Sequence, residues 1–379
     1  MISPTETVCV RNGTNFGPFP TTGEIRLRGL IMEQLVVLMY SHDDIQKIQN
    51  IVKSNNSITA LLTGDYYSIV NYLSHNNKRE FSAILDRNFY TRITSIVNSA
   101  LPNNRNHADY QWAAAVLAFC QIAEITFDYA SSLQEYASTQ GGKSALTELN
   151  AFRLADNTDP KLFIDFATGR VDKLDTAALP KISPLTNVPS AKSFEATPTD
   201  FSFNYIFMLK IALISRESIE PHERMLKFLD WMHSDYLFGA PALQFANIFF
   251  SPNRHSKMLK NYTEAGIKNA AWDLSLIQNW RKSALIGAKN DRPVLLISRD
   301  KAVRSIASRL VAETEEELLS HIACVWGRKN NCGRKIYERY CQLWDNAESN
   351  QTRRVAPSIA YITEMRTNME KQLYLPQNY

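Results

Sequence analysis

Short apolar runs followed by an acidic residue are the clearest pattern along this chain. Residues 81–85 form one such run, and Asp86 and Asn88 follow it directly. Residues 293–298 form a second run, and Asp300 follows it two positions later. Because apolar residues at helical spacing come after both runs, each predicts a buried strand that leads into an amphipathic helix. Ligands bind beyond the carboxyl ends of the strands in open parallel sheets, so we expect the two aspartates to share one site.

Helical spacing dominates most of the remaining chain. Residues 109–124 are apolar nearly all round and predict a buried helix. Residues 265–280 predict another helix, in which Asn269 and Asp273 are four positions apart and therefore share one face. Residues 157–199 hold five prolines and little periodicity, which is typical of a connector or a long surface excursion.

These patterns divide the chain of 379 residues into four regions of an α/β protein. They are an N-terminal α/β extension (1–80), an α/β core (81–150 and 265–312), a mostly helical insertion (151–264) and a basic helical C-terminal region (313–379). An apolar share of 45% with 21% charged residues gives ample material for hydrophobic cores.

Cysteine usage and hydropathy bear on the compartment. Five cysteines at irregular spacing argue against a disulfide framework and favour the reducing cytoplasm. The most apolar early run, residues 30–40, is too short to span a bilayer, and no signal peptide is visible. We therefore expect a cytoplasmic protein with no membrane partner.

The net charge of +4 is concentrated in the last region. From residue 321 onwards the chain holds nine Lys/Arg and five Asp/Glu. Interleaved basic and aromatic residues are typical of nucleic-acid binding, because cations neutralise phosphates and rings stack on bases. A solvated helix face with core aromatics gives the same pattern equally well. The basic candidates are Arg328, Lys329, Arg334 and Lys335, and the aromatic residues among them are Trp326, Tyr337 and Tyr340.

Four carboxylates are candidates for one acidic site: Asp86, Glu135, Asp273 and Asp300. Converging carboxylates need a counter-charge, and Mg²⁺ or Mn²⁺ prefers such oxygen ligands while keeping some of its waters. Two such ions clamp the attacking water and the leaving oxygen of a phosphodiester. Asn88 is expected to orient Asp86 or a bound water. An aspartate after a strand is also a common helix cap, and this alternative stays open for Asp86 and Asp300.

Four motifs resemble, in type and order, the acidic constellation of PIN-domain nucleases. They are the strand followed by Asp86-x-Asn88, Glu135 within Leu-Gln-Glu-Tyr, Asn269-x-x-x-Asp273, and the strand followed by Ser298-Arg299-Asp300. The resemblance implies a three-layer α/β/α sandwich with a parallel sheet. It also implies metal-dependent hydrolysis of RNA, or less often of DNA, with Asp86, Glu135, Asp273 and Asp300 as metal ligands. The neighbouring acids Glu124, Asp128 and Glu148 are alternatives to Glu135.

Small stand-alone PIN toxins lack the N-terminal extension, the insertion and the basic tail seen in this chain. The resemblance therefore implies the reaction and not its substrate or its regulation. We expect a metal-dependent nuclease that prefers RNA and acts as a regulated, toxin-like or antiviral defence effector. An inhibitory protein partner or a homo-oligomer would restrain it. The alternative is a non-catalytic nucleic-acid-binding or scaffold protein with a PIN-like fold.

Overall fold

The computed structural model describes residues 40–61, 66–75, 79–99, 101, 107–182, 190–252, 259–311, 315–327, 331–349 and 358–374. They form two compact units. The first comprises the described residues up to 196 together with 279–300, and the second comprises 197–278 and the described residues after 300. The interval 265–312, predicted to lie within one core, is thus divided between the units at residues 278 and 300.

The first unit contains a four-stranded mixed sheet in the order β1-β4-β2-β3. Its strands are β1 (Ile58–Thr59), β2 (Ser82–Leu85), β3 (Thr126–Asp128) and β4 (Val294–Ile297). Strand β2 lies parallel to both β3 and β4, whereas β1 pairs antiparallel with β4. The parallel sheet predicted for the core is therefore confirmed for β2, β3 and β4, and β1, which comes from the predicted N-terminal extension, joins this sheet as an antiparallel edge strand. The three-layer arrangement stays a prediction.

The described part of the first unit also contains helices. They are α1 (His42–Ser54), α2 (Ile69–His75), α3 (Arg87–Val97), α4 (His107–Ile122), α5 (Ala130–Gln140), α6 (Gly142–Asp156), α7 (Pro160–Ala167) and α8 (Ala191–Glu195). The prediction of a buried helix is confirmed by α4, whose residues 112–120 are all buried. Helix α4 packs against α1, α3 and α7, so it forms the centre of the hydrophobic core.

Helix α7 lies within the proline-rich stretch that was predicted to be a connector. The connector predicted for 157–199 is wrong at 160–167, where the chain forms a helix that buries Phe163, Ile164 and Phe166. Pro160 occupies the first turn, where its missing N–H has no helical partner to lose. Asp159 caps this helix by accepting from the Lys161 N–H at 2.8 Å. The proline therefore starts a helix and does not break one.

The described residues of the second unit are helical and carry no strand. They form α9 (Thr199–Ser215), α10 (Pro221–Ser234), α11 (Ala240–Phe250), α12 (Glu264–Lys289, whose residues up to 278 belong here), α13 (Lys301–Arg309), α14 (Glu315–Trp326), α15 (Cys332–Ser349) and α16 (Ile359–Tyr374). Helix α9 packs against α10 and α16, and Arg216 Nη1 donates to Leu373 O at 2.9 Å. The helical character predicted for the insertion and the tail is confirmed in these ranges.

Candidate active site at the carboxyl edge of the sheet

Asp86 lies directly beyond the carboxyl end of β2. Its backbone N–H donates to Ile297 O at 3.0 Å, so the ladder between β2 and β4 continues up to this residue. Asp86 then caps α3, because its Oδ1 accepts from the Asn88 N–H at 2.9 Å. The side chain is only 2% exposed. Asp86 is therefore a helix cap, and its carboxylate is also buried at the edge of the sheet.

Ser298 joins Asp86 to Asp300. The Ser298 Oγ–H donates to Asp86 Oδ2 at 2.5 Å, and the Asp300 N–H donates to Ser298 Oγ at 3.0 Å. Ser298 is fully buried, and its N–H donates to Ser57 O at 3.1 Å, which fixes its backbone. The structure thus brings Asp86 and Asp300 together, although 214 positions of sequence separate them.

The electrostatic environment of Asp86 is unfavourable for an isolated anion. Burial raises the pKa of Asp86 above its ordinary value, and the charge of Asp300 raises it further. The hydrogen bonds from Ser298 and the Asn88 N–H, together with the charge of Arg92, lower this pKa without cancelling the effect of burial. Two neighbouring carboxylates in such a place favour either a proton or a cation between them.

Asp128 is a third acid at this edge of the sheet. It ends β3 and pairs with Ile84, two residues before Asp86, on the strand next to it. Its side chain accepts from the Ala130 N–H at 3.0 Å, and burial raises its pKa. Sequence reasoning named Asp128 only as an alternative to Glu135. The signal that favours it is the run Ile125-Thr126-Phe127, which precedes Asp128 as the apolar run precedes Asp86.

The other acids near the sheet occupy different environments. Glu135 is half-buried within α5. Glu148 accepts two hydrogen bonds of 2.5 and 2.7 Å from Arg87, so it forms an ion pair with this arginine. Glu124 is exposed. Asn88, predicted to orient Asp86, is exposed and makes its contact through its backbone N–H.

Asp273 and Asn269 lie on one face of α12, as their spacing predicts. Asn269 Nδ2 donates to Asp273 Oδ2 at 3.1 Å, and both side chains are half-buried. Asp273 belongs to the second unit, whereas Asp86 and Asp300 belong to the first. Its predicted role as a metal ligand stays a prediction.

The basic candidates of the tail are only partly described. Arg328 and Lys329 lie outside the described residues. Arg334 and Lys335 are exposed on α15, and Arg334 Nε donates to Glu338 at 2.8 Å. Trp326 is buried, and its indole N–H donates to Asn247 Oδ1 at 2.5 Å. Of the two alternatives left open for the aromatic residues, Trp326 therefore follows the second, because its ring belongs to the core of the second unit.

The donor set at the carboxyl edge can be tested against the predicted cation. Within the described ranges, no three His, Cys, Asp or Glu side chains are grouped closely enough to enclose a metal ion. Mg²⁺ and Mn²⁺ do not need such a cage, since they retain several waters and are bound through one or two carboxylates plus the substrate's phosphate. Asp86 and Asp300 supply two carboxylates of this kind, so the residues present fit a hydrated divalent cation.

The pH dependence of stability should reveal the cost of burying Asp86. Below about pH 3 the carboxyl is mostly protonated in both the folded and the unfolded chain. As the pH rises, the unfolded chain loses the proton first, because the pKa of Asp86 is raised in the folded state. The free energy of unfolding of the wild type should therefore fall relative to that of Asp86→Asn, by about 1.4 kcal/mol for each unit of the pKa shift.

Urea unfolding of both proteins at pH 4, 5.5 and 7, with a chelator present, measures this difference. A difference that stays constant across the three pH values would show that Asp86 titrates as an ordinary aspartate.

Comparisons of the chain with protein-family models, with curated proteins and with solved structures found no match. The resemblance to PIN-domain nucleases consequently depends on the sequence motifs alone. In the part of the chain that the structure covers, no helix is both long enough and apolar enough to cross a membrane. The described cysteines, Cys120, Cys324, Cys332 and Cys341, are free thiols.

Proposed function

We propose that this protein is a metal-dependent nuclease that hydrolyses phosphodiester bonds, with RNA preferred over DNA. The observation that supports this function best is the pairing of Asp86 and Asp300 through Ser298, at the carboxyl ends of neighbouring parallel strands. Ligand sites form at this edge of open α/β sheets. A buried carboxylate whose pKa is raised, as Asp86 is, is more typical of a functional site than of a structural contact.

The residues have distinct roles in this proposal. Asp86 and Asp300 hold Mg²⁺ or Mn²⁺, and Ser298 fixes the orientation of the Asp86 carboxylate. The bound cation supplies Lewis-acid stabilisation of the phosphoryl oxygens and a more acidic water. Asp128 joins the proposed ligands because of its place at the end of β3. Glu135 is the remaining proposed ligand in the same unit.

A cleavage assay tests the proposal. We expect the wild type to cleave labelled single-stranded RNA faster than single-stranded DNA with Mn²⁺, and a chelator to stop the reaction. Asp300→Asn should lower the rate by about 100-fold or more, because loss of residues that only support a ligand already costs 10- to 100-fold.

Asp291→Asn is the matched control. Asp291 is exposed in the turn before β4, at the opposite end of the strand, and pairs with Arg79 at 2.7 Å. Its φ of 56° is one that asparagine tolerates well, so this variant should keep full activity. Absence of cleavage by the wild type under every metal condition would contradict the proposal.

The second candidate is a non-catalytic nucleic-acid-binding or scaffold protein. It is favoured by the fact that both oxygens of Asp86 already accept hydrogen bonds, from the Asn88 N–H and from Ser298. A purely structural helix cap needs no more than this. Binding of RNA without cleavage in the same assay would select this candidate.

We also propose that the nuclease is restrained in the cytoplasm until it is needed, as a toxin-like or antiviral defence effector would be. The motivation is that most of the described chain is helical and lies outside the segments that form the small acidic site. An inhibitory protein partner or a homo-oligomer would provide the restraint. Full constitutive activity of the purified, partner-free monomer would contradict this part of the proposal.

A further inference from the structure

Helices α9 and α16 of the second unit border a groove with a volume of about 280 Å³. This volume is close to the lower end of the range for small-molecule sites, about 300 Å³. The wall combines apolar side chains, two amides and one ammonium group. These residues are Lys210 and Leu213 from α9, and Met365, Asn368, Met369 and Gln372 from α16. The groove is therefore suited to a small molecule with an apolar body.

Lys210 is half-buried in this wall and lacks an acidic partner. No carboxylate of the described residues forms a salt bridge with it, and its ammonium lies over the ring of Trp231, 5.4 Å from the centroid. The neighbouring Lys227 differs, because its Nζ donates to Glu217 at 2.6 Å. The contact with a ring positions the Lys210 side chain without engaging its nitrogen in an ion pair. The Lys210 amine is therefore open to a ligand in the groove.

The surroundings of Lys210 favour its neutral form. Burial lowers the pKa of Lys210, and the charge of Lys227 lowers it further. Asp235 and Glu217 raise this pKa without cancelling the two other effects. A lysine that is desolvated and lies near a second cation is the kind that reacts with carbonyl compounds as an amine nucleophile.

The charges near the groove favour an uncharged ligand. Glu364 lines the groove, and Asp235 and Glu217 act on Lys210. Three carboxylates thus accompany the two cations Lys210 and Lys227, and an anionic ligand would meet this acidic excess. The leucine and the two methionines of the wall offer apolar surface to a short hydrocarbon chain, and methionine adapts readily to the shape of a ligand.

We infer that Lys210 forms an imine with a small uncharged aldehyde bound in this groove. The neutral Nζ attacks the carbonyl carbon, so a C–N bond forms and the π electrons of the C=O bond move to the oxygen. Both protons of the amine pass to that oxygen, which leaves as water while the C=N bond forms. No oxidant or reductant is consumed. The inference does not depend on the proposed nuclease activity, because it uses residues of the second unit only.

Reductive trapping identifies the amine that reacts. The full chain is incubated at pH 7 with butanal and sodium cyanoborohydride, which reduces the imine to a stable secondary amine, and peptide mass mapping gives the labelling rate of each lysine. We expect Lys210 to be labelled about 10-fold faster than Lys227, although Lys227 is 49% exposed, because a desolvated lysine offers more of its nucleophilic form. The rate at Lys210 should saturate with butanal concentration, since the aldehyde binds first. Lys210→Arg should remove this rapid adduct, because a guanidinium keeps its proton.

Filling the groove should slow the reaction at Lys210. Asn368 and Gln372 are exposed on α16, so a larger side chain at either position leaves the core undisturbed. Asn368→Trp and Gln372→Trp should each slow labelling of Lys210 by about 10-fold, because the aldehyde loses its place beside the amine. Labelling of Lys227 should stay unchanged in both variants. Thr367→Trp is the matched control, since Thr367 is exposed on the same helix and lies outside the groove wall.

The outcomes distinguish a binding groove from an ordinary surface lysine. Rapid, saturable labelling of Lys210 that both groove-filling variants slow, and that Thr367→Trp leaves unchanged, would support the inference. Equal labelling rates of Lys210 and Lys227 would overturn it, and so would a wild-type rate at Lys210 in both groove-filling variants. Equal slowing by Thr367→Trp would also overturn it, because the effect would then not come from the groove.

Discussion

Asp86→Asn should abolish cleavage while leaving the fold intact. The amide has the shape of the carboxylate, and its oxygen still caps α3 by accepting from the Asn88 N–H. It carries no charge to hold a cation, so we expect activity to fall by about 1000-fold, as it does when an essential electrostatic group is lost from an active site. The free energy of unfolding at pH 7 should equal or exceed that of the wild type, because a buried carboxylate with a raised pKa is removed. Activity with Mn²⁺ and urea unfolding measure the two effects.

A helix cap elsewhere in the chain provides the control for this variant. Asp159 caps α7 with the same kind of contact, to the Lys161 N–H at 2.8 Å. Asp159→Asn should therefore leave cleavage unchanged.

Asp86→Ala should destabilise the protein, unlike Asp86→Asn. It leaves the Asn88 N–H and the Ser298 hydroxyl without their acceptor, which should lower the free energy of unfolding by about 2–4 kcal/mol. Wild-type activity of Asp86→Asn would mean that Asp86 is only a cap.

The Asp86 carboxylate is expected to lower the free energy of unfolding, whereas the proposed activity requires it. This contrast helps to decide which function is favoured. An amide at this position would satisfy the cap and Ser298 without the cost of burying a charge. Residues that lower stability in this way are typical of functional sites. The contrast is what separates the nuclease proposal from the structural alternative.

Sequence reasoning located the strand ends because local patterns determine them. An apolar run of four or five residues followed by an acid and an amphipathic helix needs no partner to be recognised, and both β2 and β4 were predicted in this way. The same reasoning passed over Asp128, since β3 is only three residues long and its residues are all partly exposed. A strand this short has too few positions for periodicity to be read.

Contacts between distant segments were beyond the reach of the sequence pattern. Arg299 and Asp109 are 190 positions apart, and Arg87 and Glu148 are 61 apart. Their local sequence does not indicate which residue each charged side chain pairs with, because tertiary packing determines the pairing. For the same reason the antiparallel pairing of β1 with β4 was not predicted. Long-range partners decide charge pairing and sheet direction, whereas periodicity decides only the type of element.

Glu148→Ala should be among the most destabilising single substitutions in the first unit. Glu148 on α6 and Arg87 on α3 form two parallel hydrogen bonds of 2.5 and 2.7 Å, and their side chains are only 12% and 14% exposed. Thr94 Oγ1 also donates to Glu148, at 3.4 Å, and Arg87 lies over the Tyr136 ring at 4.1 Å. Removing the acid leaves a guanidinium in a poorly hydrated place, which costs about 3–5 kcal/mol. Urea unfolding followed by a probe in the first unit measures the loss.

The double variant Arg87→Met/Glu148→Leu distinguishes two contributions to the free energy of unfolding. One is the stabilisation by the ion pair, and the other is the destabilisation by a buried charge that has lost its partner. We expect it to recover most of the stability that Glu148→Ala loses, because apolar side chains of similar volume avoid the desolvation of both ions. Glu217→Ala is the surface control: its pair with Lys227 is 35% and 49% exposed and should contribute no more than about 1 kcal/mol. A double variant no more stable than Glu148→Ala would show that the bidentate pair itself, and its stacking on Tyr136, hold α3 against α6. In that case the ion pair would also fix the first turn of α3, on which the position of Asp86 depends.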